Sequence, residues 1–393
     1  MELPRIFVYV VSSIGSVIFA VFAFPFSTHN VSKLTIPFIV NSDNVFEKAP
    51  LVETWPSVTF HKRIQTGKNT SFEIRQIPEN GTSVHALKIP KEGDPSLKNG
   101  YLTYSNQPEY YIYYPRLGSE IIYFDTAGEK LWEKTSHHYM EIFPDGKYIL
   151  GLAGDSSRAF IFDPDLNEIA NVEGMIMLGR RFMHDPSEKF DLCLGFLNGE
   201  IVFIDVESGK KRRLQVAENL TSLACNSSPL RVFYQSGTKT GEGERLTLVT
   251  GLAPVFHDES NDTSDNTSDE EQTHETLFQI NLGRYYSSSL PMQWHDNYGV
   301  ILTPEKNDMQ ALVFDRQGVL LDQIALPMTG NNTDDWRSIK LKNGIVFWSS
   351  ETVLVFDKHL IYRAHSEIKN AKGYNNHFFL DTYSGIVAFR LSK

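Results

Sequence analysis

The densest set of metal-type ligands in the chain is Asp258-Glu-Ser-Asn-Asp-Thr-Ser-Asp-Asn-Thr-Ser-Asp-Glu-Glu271, where carboxylates, amides and hydroxyls follow one another closely enough to attract calcium. It lacks the ordered glycine and fixed ligand spacing of a calcium loop, so it reads as a solvated, flexible acidic insertion at about 254–275. Asp163-Pro-Asp-Leu-Asn-Glu168 also alternates oxygen side chains, in the manner of a hairpin turn. His137-His138 could ligate a metal only with help from distant residues, because neighbours on a strand point to opposite faces. The basic cluster Lys210-Lys211-Arg212-Arg213 follows a strand and reads as a solvated outer strand. No phosphate-binding glycine loop, nucleophile elbow or zinc-protease helix is present. No catalytic, cofactor-binding or metal-binding residue is therefore assigned, and no cofactor is expected.

Composition narrows the partners. The chain has 393 residues, of which 41% are hydrophobic and 22% charged, enough to bury a large core. Its formal charge of -11 repels phosphate backbones, so nucleic acid is not an expected partner. Cys193 and Cys225 are the only cysteines, which excludes a disulfide scaffold and a cysteine-rich zinc site. The two can pair or remain buried thiols.

The N-terminus carries a compartment signal. Residues 6–26 form an uncharged apolar run of 21 residues after Arg5. As a helix it would be about 31 Å long, enough to cross a bilayer core. The reading favoured is a signal anchor within 1–30, with a cleaved signal peptide as the alternative. Either places residues 31–393 outside the cytoplasm: at the periplasmic face of the inner membrane in a bacterium, or in the secretory lumen or on the cell surface in a eukaryote. Glycosylation triplets at Asn30, Asn69, Asn80, Asn219, Asn226, Asn261, Asn266 and Asn331 agree with that placement. Chance would supply roughly three.

The elements that must position any site repeat. Glu120-Ile-Ile-Tyr-Phe-Asp125 is an alternating strand ending in an Asp turn, with Gly128 and a second strand to Trp132 behind it. Similar strands end at Asp163, Asp205, Asp315 and Asp357, at spacings of 38, 42, 110 and 42 residues. The long gap accommodates the acidic insertion and one degenerate copy, Glu275-Thr-Leu-Phe-Gln-Ile-Asn281. A period near 40 residues, four short strands to each, predicts a single all-β propeller domain over 31–393. Seven or eight four-stranded blades fit, with eight favoured. The Asp side chains are expected to cap backbone N–H groups in the turns. The last unit ends one strand short, so Leu34-Thr-Ile-Pro-Phe-Ile-Val40 is expected to complete it. Residues from about 50 to 95 supply one irregular blade.

Ile122-Tyr-Phe-Asp-Thr-Ala-Gly-Glu-Lys-Leu-Trp132 and Ile201-Val-Phe-Ile-Asp-Val-Glu-Ser-Gly-Lys210 resemble the repeat of PQQ-like, quinoprotein-type propellers, including the Bam-complex propeller lipoprotein, and are also similar to WD40-like repeats. Only the first keeps the family's closing Trp, and Trp132 is expected to pack between blades. The adjacent cysteines of quinone-using members and the lipidated cysteine of the Bam protein have no counterpart here, so the resemblance implies a fold and not an activity. The tyrosine run Glu109-Tyr-Tyr-Ile-Tyr-Tyr-Pro115 is expected to pack between blades, with exposed tyrosines near the channel mouth offering a protein or glycan contact surface. The function expected is a membrane-anchored, non-enzymatic interaction scaffold for another membrane or envelope protein. The alternative is an enzyme acting on a glycan, peptide or small molecule at the channel mouth.

Overall fold

Alternating β-branched and aromatic residues, punctuated by Asp, Asn and Gly turns, leave little helical period in this sequence. The computed structural model accordingly consists of strands and turns wherever it is described. Described residues lie between 34 and 391, with breaks at 41–45, 49–57, 89–100, 183–189, 240–244, 256–272, 327–334 and several shorter places. The helix expected over 6–26 and residues 256–272 of the acidic insertion fall outside them; the two ends of the expected insertion, 254–255 and 273–275, belong instead to paired strands. Among the described residues there is no helix, and so none long and apolar enough to cross a membrane. The chain divides into two units, Met1–Val31 and Ser32–Lys393, and every described strand belongs to the second.

The strands of this second unit form six four-stranded sheets, one five-stranded sheet and one three-stranded sheet. Blades 1 to 6 occupy 101–135, 139–173, 177–215, 220–281, 292–326 and 337–365, each an antiparallel meander in chain order. Blade 7 takes Ile368–Tyr374, His377–Thr382 and Gly385–Leu391 from the C-terminus and is completed, as expected, by Leu34–Val40, which pairs parallel to Gly385–Leu391. Phe46–Lys48 adds a fifth strand beyond it. The remaining sheet, Val58–Thr66, Asn69–Ile77 and Ser83–Lys88, has three strands. Seven full blades therefore replace the expected eight. The extra region acts as a wedge: Val58 and Phe60 pack on blade 7 beside Phe379 and Ile386, while Phe72 and Ile74 pack on blade 1 beside Leu102 and Tyr111. Its two faces are thus used to bridge the chain's two ends.

Apolar clusters lie between successive sheets, as period-2 alternation with both faces buried requires. Between blades 5 and 6, for example, Val300, Leu302 and Val313 meet Ile345, Phe347 and Phe356. The first strands of consecutive blades approach one another, so they line the inside of the ring. Cys193 in blade 3 and Cys225 in blade 4 are joined by a disulfide across one such seam.

The recurrent Asp does the job expected of it. Asp125 Oδ1 accepts from the backbone N–H of Ala127 at 2.9 Å and of Glu129 at 2.8 Å. Asp315 repeats this with Gln317 and Val319, both at 2.8 Å, and Asp163 Oδ1 accepts from Asn167 at 2.8 Å. Gly128 and Gly318 supply the positive φ of 90° and 80° that the turn needs. One alignment needs correction. Glu275–Asn281 belongs to the fourth strand of its blade (Thr273–Asn281), not the third; the third is Arg245–Val255. Asn281 Oδ1 accepts from Gly283 N–H at 2.8 Å, so an Asx turn at the fourth strand imitates the repeated Asp turn.

Candidate functional site

Where the wedge meets blades 1 and 7, three first strands bring together side chains that no sequence motif links. Val58–Thr66 supplies His61, Tyr104 follows Tyr101–Thr103, and Ile368–Tyr374 supplies Lys372. The His61 Nδ1 atom lies 2.9 Å from the Tyr104 hydroxyl, which also donates to the Thr59 carbonyl at 3.3 Å. The Lys372 ammonium sits over the Tyr104 ring, 4.0 Å from its centroid, with the Phe60 ring 6.0 Å away. His61, Tyr104 and Lys372 are each only partly accessible, while Asp381 of blade 7 is buried close by.

Burial sets the electrostatics. It lowers Lys372 to about 7, so that near neutral pH a sizeable fraction is free amine. Burial, and then the Lys372 charge, lower His61 to about 4 and keep its imidazole neutral. Burial also raises the Tyr104 phenol, helped by Tyr111 and the Asp381 carboxylate. The cation–π contact compensates for part of the desolvation of Lys372. The result is a neutral imidazole, a phenol and a partly deprotonated amine on the inner wall of the ring.

A second feature lies at the start of the first strands of blades 1 and 2. Tyr101 and Tyr139 are 45% and 41% exposed, with ring centroids 6.3 Å apart. Both rest on buried Tyr114, at 5.4 Å and 5.2 Å. Burial and the neighbouring Tyr139 push the Tyr114 phenol upward, so the cluster stays uncharged. Tyr111 and Tyr113 are fully buried, as expected of the tyrosine run.

The sequence-selected positions are scattered. Asn219 is exposed just before Leu220–Asn226, Asn226 ends that strand, and Asn69 opens Asn69–Ile77. Asn30, Asn80, Asn261, Asn266 and Asn331 lie outside the described residues, as do His137 and His138. Trp132 pairs in register with Tyr123, and its side chain is likewise outside them. Among the described residues no group of three His, Cys, Asp or Glu could hold a metal ion. The basic cluster is an outer strand: Arg213 pairs with Glu200 and Lys211 donates to the Asn171 carbonyl. Sequence reasoning missed His61, Tyr104 and Lys372 because they converge from three separate, unremarkable stretches, His61 and Lys372 lying more than 300 residues apart. The strand Ile368-Lys-Asn-Ala-Lys372 carries Lys369 as well, so nothing in its composition singles out Lys372.

The class defined by this topology is the β-propeller. No family model matches the chain, and no curated protein matches it. Among solved structures it is similar to the Cps50 (Swd1) β-propeller domain of Myceliophteria thermophila, at 10% identity over 75% of this chain and 96% of that one, with a TM-score of 0.43. It is also similar to hydrazine synthase of Kuenenia stuttgartiensis, at 11% identity over 76% and 96%, with a TM-score of 0.45.

Proposed function

We propose that this chain is a β-propeller platform, anchored through residues 6–26 outside the cytoplasm, that binds another membrane or envelope protein without itself catalysing a reaction. The observation that carries the binding role is the tyrosine cluster: two exposed rings on adjacent inner strands, fixed from below by buried Tyr114. Rigid amphipathic rings of this kind provide contact area at little entropic cost and are enriched at interface hot spots. The apolar run at 6–26, the glycosylation triplets and the disulfide between Cys193 and Cys225 support the extracytoplasmic placement. The strand, Asp turn and strand repeat supports kinship with PQQ-like or WD40-like propellers.

Affinity purification of the full chain from detergent-solubilised membranes tests the platform. A partner recovered at near-equal stoichiometry should be lost from the Tyr101→Ala/Tyr139→Ala double variant while its circular dichroism spectrum stays unchanged. Recovery of no stoichiometric partner, or equal recovery by the variant, contradicts the reading.

The Lys372 cluster favours a second reading, catalysis on a small carbonyl compound through a free amine. Pyridoxal phosphate followed by borohydride reduction reports on it: selective labelling of Lys372 near pH 7 supports that reading, and labelling no faster than exposed lysines removes it.

A further inference from the structure

Between blades 4 and 5, on the outer side of the ring, lies a cleft of about 420 Å³. One wall is the end of Thr273–Asn281 with Leu282 and Tyr286, and the other is the face of blade 5 that carries Thr303, Gln310, Leu312, Phe314, Leu320 and Gln323. Its volume falls in the range of small-ligand pockets.

The chemistry of the lining is selective. Apart from the Tyr286 phenol, no ionisable side chain lines it among the described residues, although the chain carries 48 acidic and 37 basic residues. Tyr286 donates its hydroxyl to the Pro304 carbonyl at 3.2 Å, and burial raises its pKa, so it too stays neutral. Polar capacity comes instead from the amides of Gln279, Asn281, Gln310 and Gln323. Gln323 Nε2 donates to Gln310 Oε1 at 2.6 Å, which fixes both amides and leaves further donors and acceptors on each.

Thr303 makes the cleft a site and not merely a gap between blades. It is 1% exposed, and its hydroxyl has no hydrogen-bond partner among the described residues. A buried unpaired hydroxyl destabilises a fold, whereas valine would fill the same shape without that cost. An unpaired threonine hydroxyl on the wall of a neutral, amide-lined cleft points to a ligand that pairs with it.

We propose that this cleft binds a neutral carbohydrate, a sugar unit of one or two rings held by amides and the Thr303 hydroxyl. Hydroxyl groups of a sugar both donate and accept, matching side-chain amides, which do the same. Its apolar C–H faces can lie on the Leu312, Phe314 and Leu320 side of the lining. No cationic side chain is among the described residues that line the cleft, so an anionic sugar gains no direct ion pair on its walls, although Arg284 acts on the Tyr286 phenol from beside it. An extended peptide would instead call for separate apolar pockets for alternate side chains. The site is distinct from the tyrosine cluster, so either proposal can fail without the other.

Ligand-observed saturation-transfer NMR on the full chain in detergent, with N,N′-diacetylchitobiose and maltose as probes and glucuronic acid and trialanine as controls, tests the site. At least one disaccharide should show saturable transfer below about 10 mM. Thr303→Val should weaken that binding by about tenfold while raising the thermal midpoint, and exposed Gln323→Ala should weaken it without moving the midpoint. A purely structural Thr303 would give the raised midpoint with unchanged binding, and that result overturns the proposal. Saturation by neither disaccharide overturns it as well, as does transfer to trialanine alone, which would make the cleft a peptide groove.

Discussion

The seam between blades 5 and 6 and the seam around the wedge solve the same packing problem with different chemistry. In the first, Val300, Leu302, Val313, Ile345, Phe347 and Phe356 form an apolar cluster sealed by the Tyr298 hydroxyl, which donates to the Phe356 carbonyl at 2.8 Å. In the second, aromatic rings surround a histidine and a lysine. An internal seam joins neighbours that are also neighbours in sequence, so each meander can supply matched apolar faces. The closing seam joins residues near 60, 104 and 372, and here the fold carries half-buried titratable groups that an apolar seam would exclude. Lys372 and His61 should therefore make the closure the more pH-sensitive of the two seams, although it too has apolar clusters.

The largest effect that would sharpen this contrast comes from the apolar seam. Phe356→Ala should cost about 3–5 kcal/mol at any pH, read from the denaturant midpoint. A loss below about 1 kcal/mol would show that this seam is not where the stability resides.

Lys372→Met probes the other seam and should act in the opposite direction. The amine's folded value, about 7, lies below its ordinary 10.5, so between these the unfolded chain binds more protons and stability rises with pH. The penalty is complete below pH 7 and gone above 10.5. Replacing the amine by methionine should therefore stabilise the protein at pH 6 by something on the order of 2 kcal/mol after allowance for partial exposure, and by little at pH 10.5. A variant less stable than the native chain at pH 6 would mean that the ammonium is well compensated and the two seams are energetically alike. His61→Phe should flatten a second, lower window, between about 4 and 6.5, where stability also rises with pH.

The smallest expected change lies in the turns that both regions share. Asp315→Ala removes acceptors for two N–H groups and should cost about 1 kcal/mol, with Asp125→Ala beside the closure costing the same. Unequal costs would show that the closing region depends on its turns more than the other blades do.

Much of the ring is legible in the residues alone. Tyr139–Ile142, Ile149–Leu152, Arg158–Phe162 and Glu168–Glu173 lie where alternation and turn residues place them, and Leu34–Val40 closes the last blade. Tyr111, Tyr113 and Tyr114 of the tyrosine run are buried as expected, whereas the exposed Tyr101 and Tyr139 lie outside that run and are not singled out by the sequence. The strand at Asn281 defeats alignment because an Asn turn and an Asp turn use the same side-chain acceptor geometry. The wedge reads as an irregular eighth blade because a strand's sequence records its own alternation and not how many partners its sheet recruits.

The sequence by itself determined the repeat, its Asp turns and the direction in which each strand buries its side chains, because those depend on interactions within a few residues. Tertiary structure alone decided that Lys372 faces Tyr104 beside His61, that Cys193 pairs with Cys225, and that Thr303 lines a cleft with its hydroxyl unpaired. Each depends on which strands become neighbours when the ring closes, and on how far burial then removes a polar group from water.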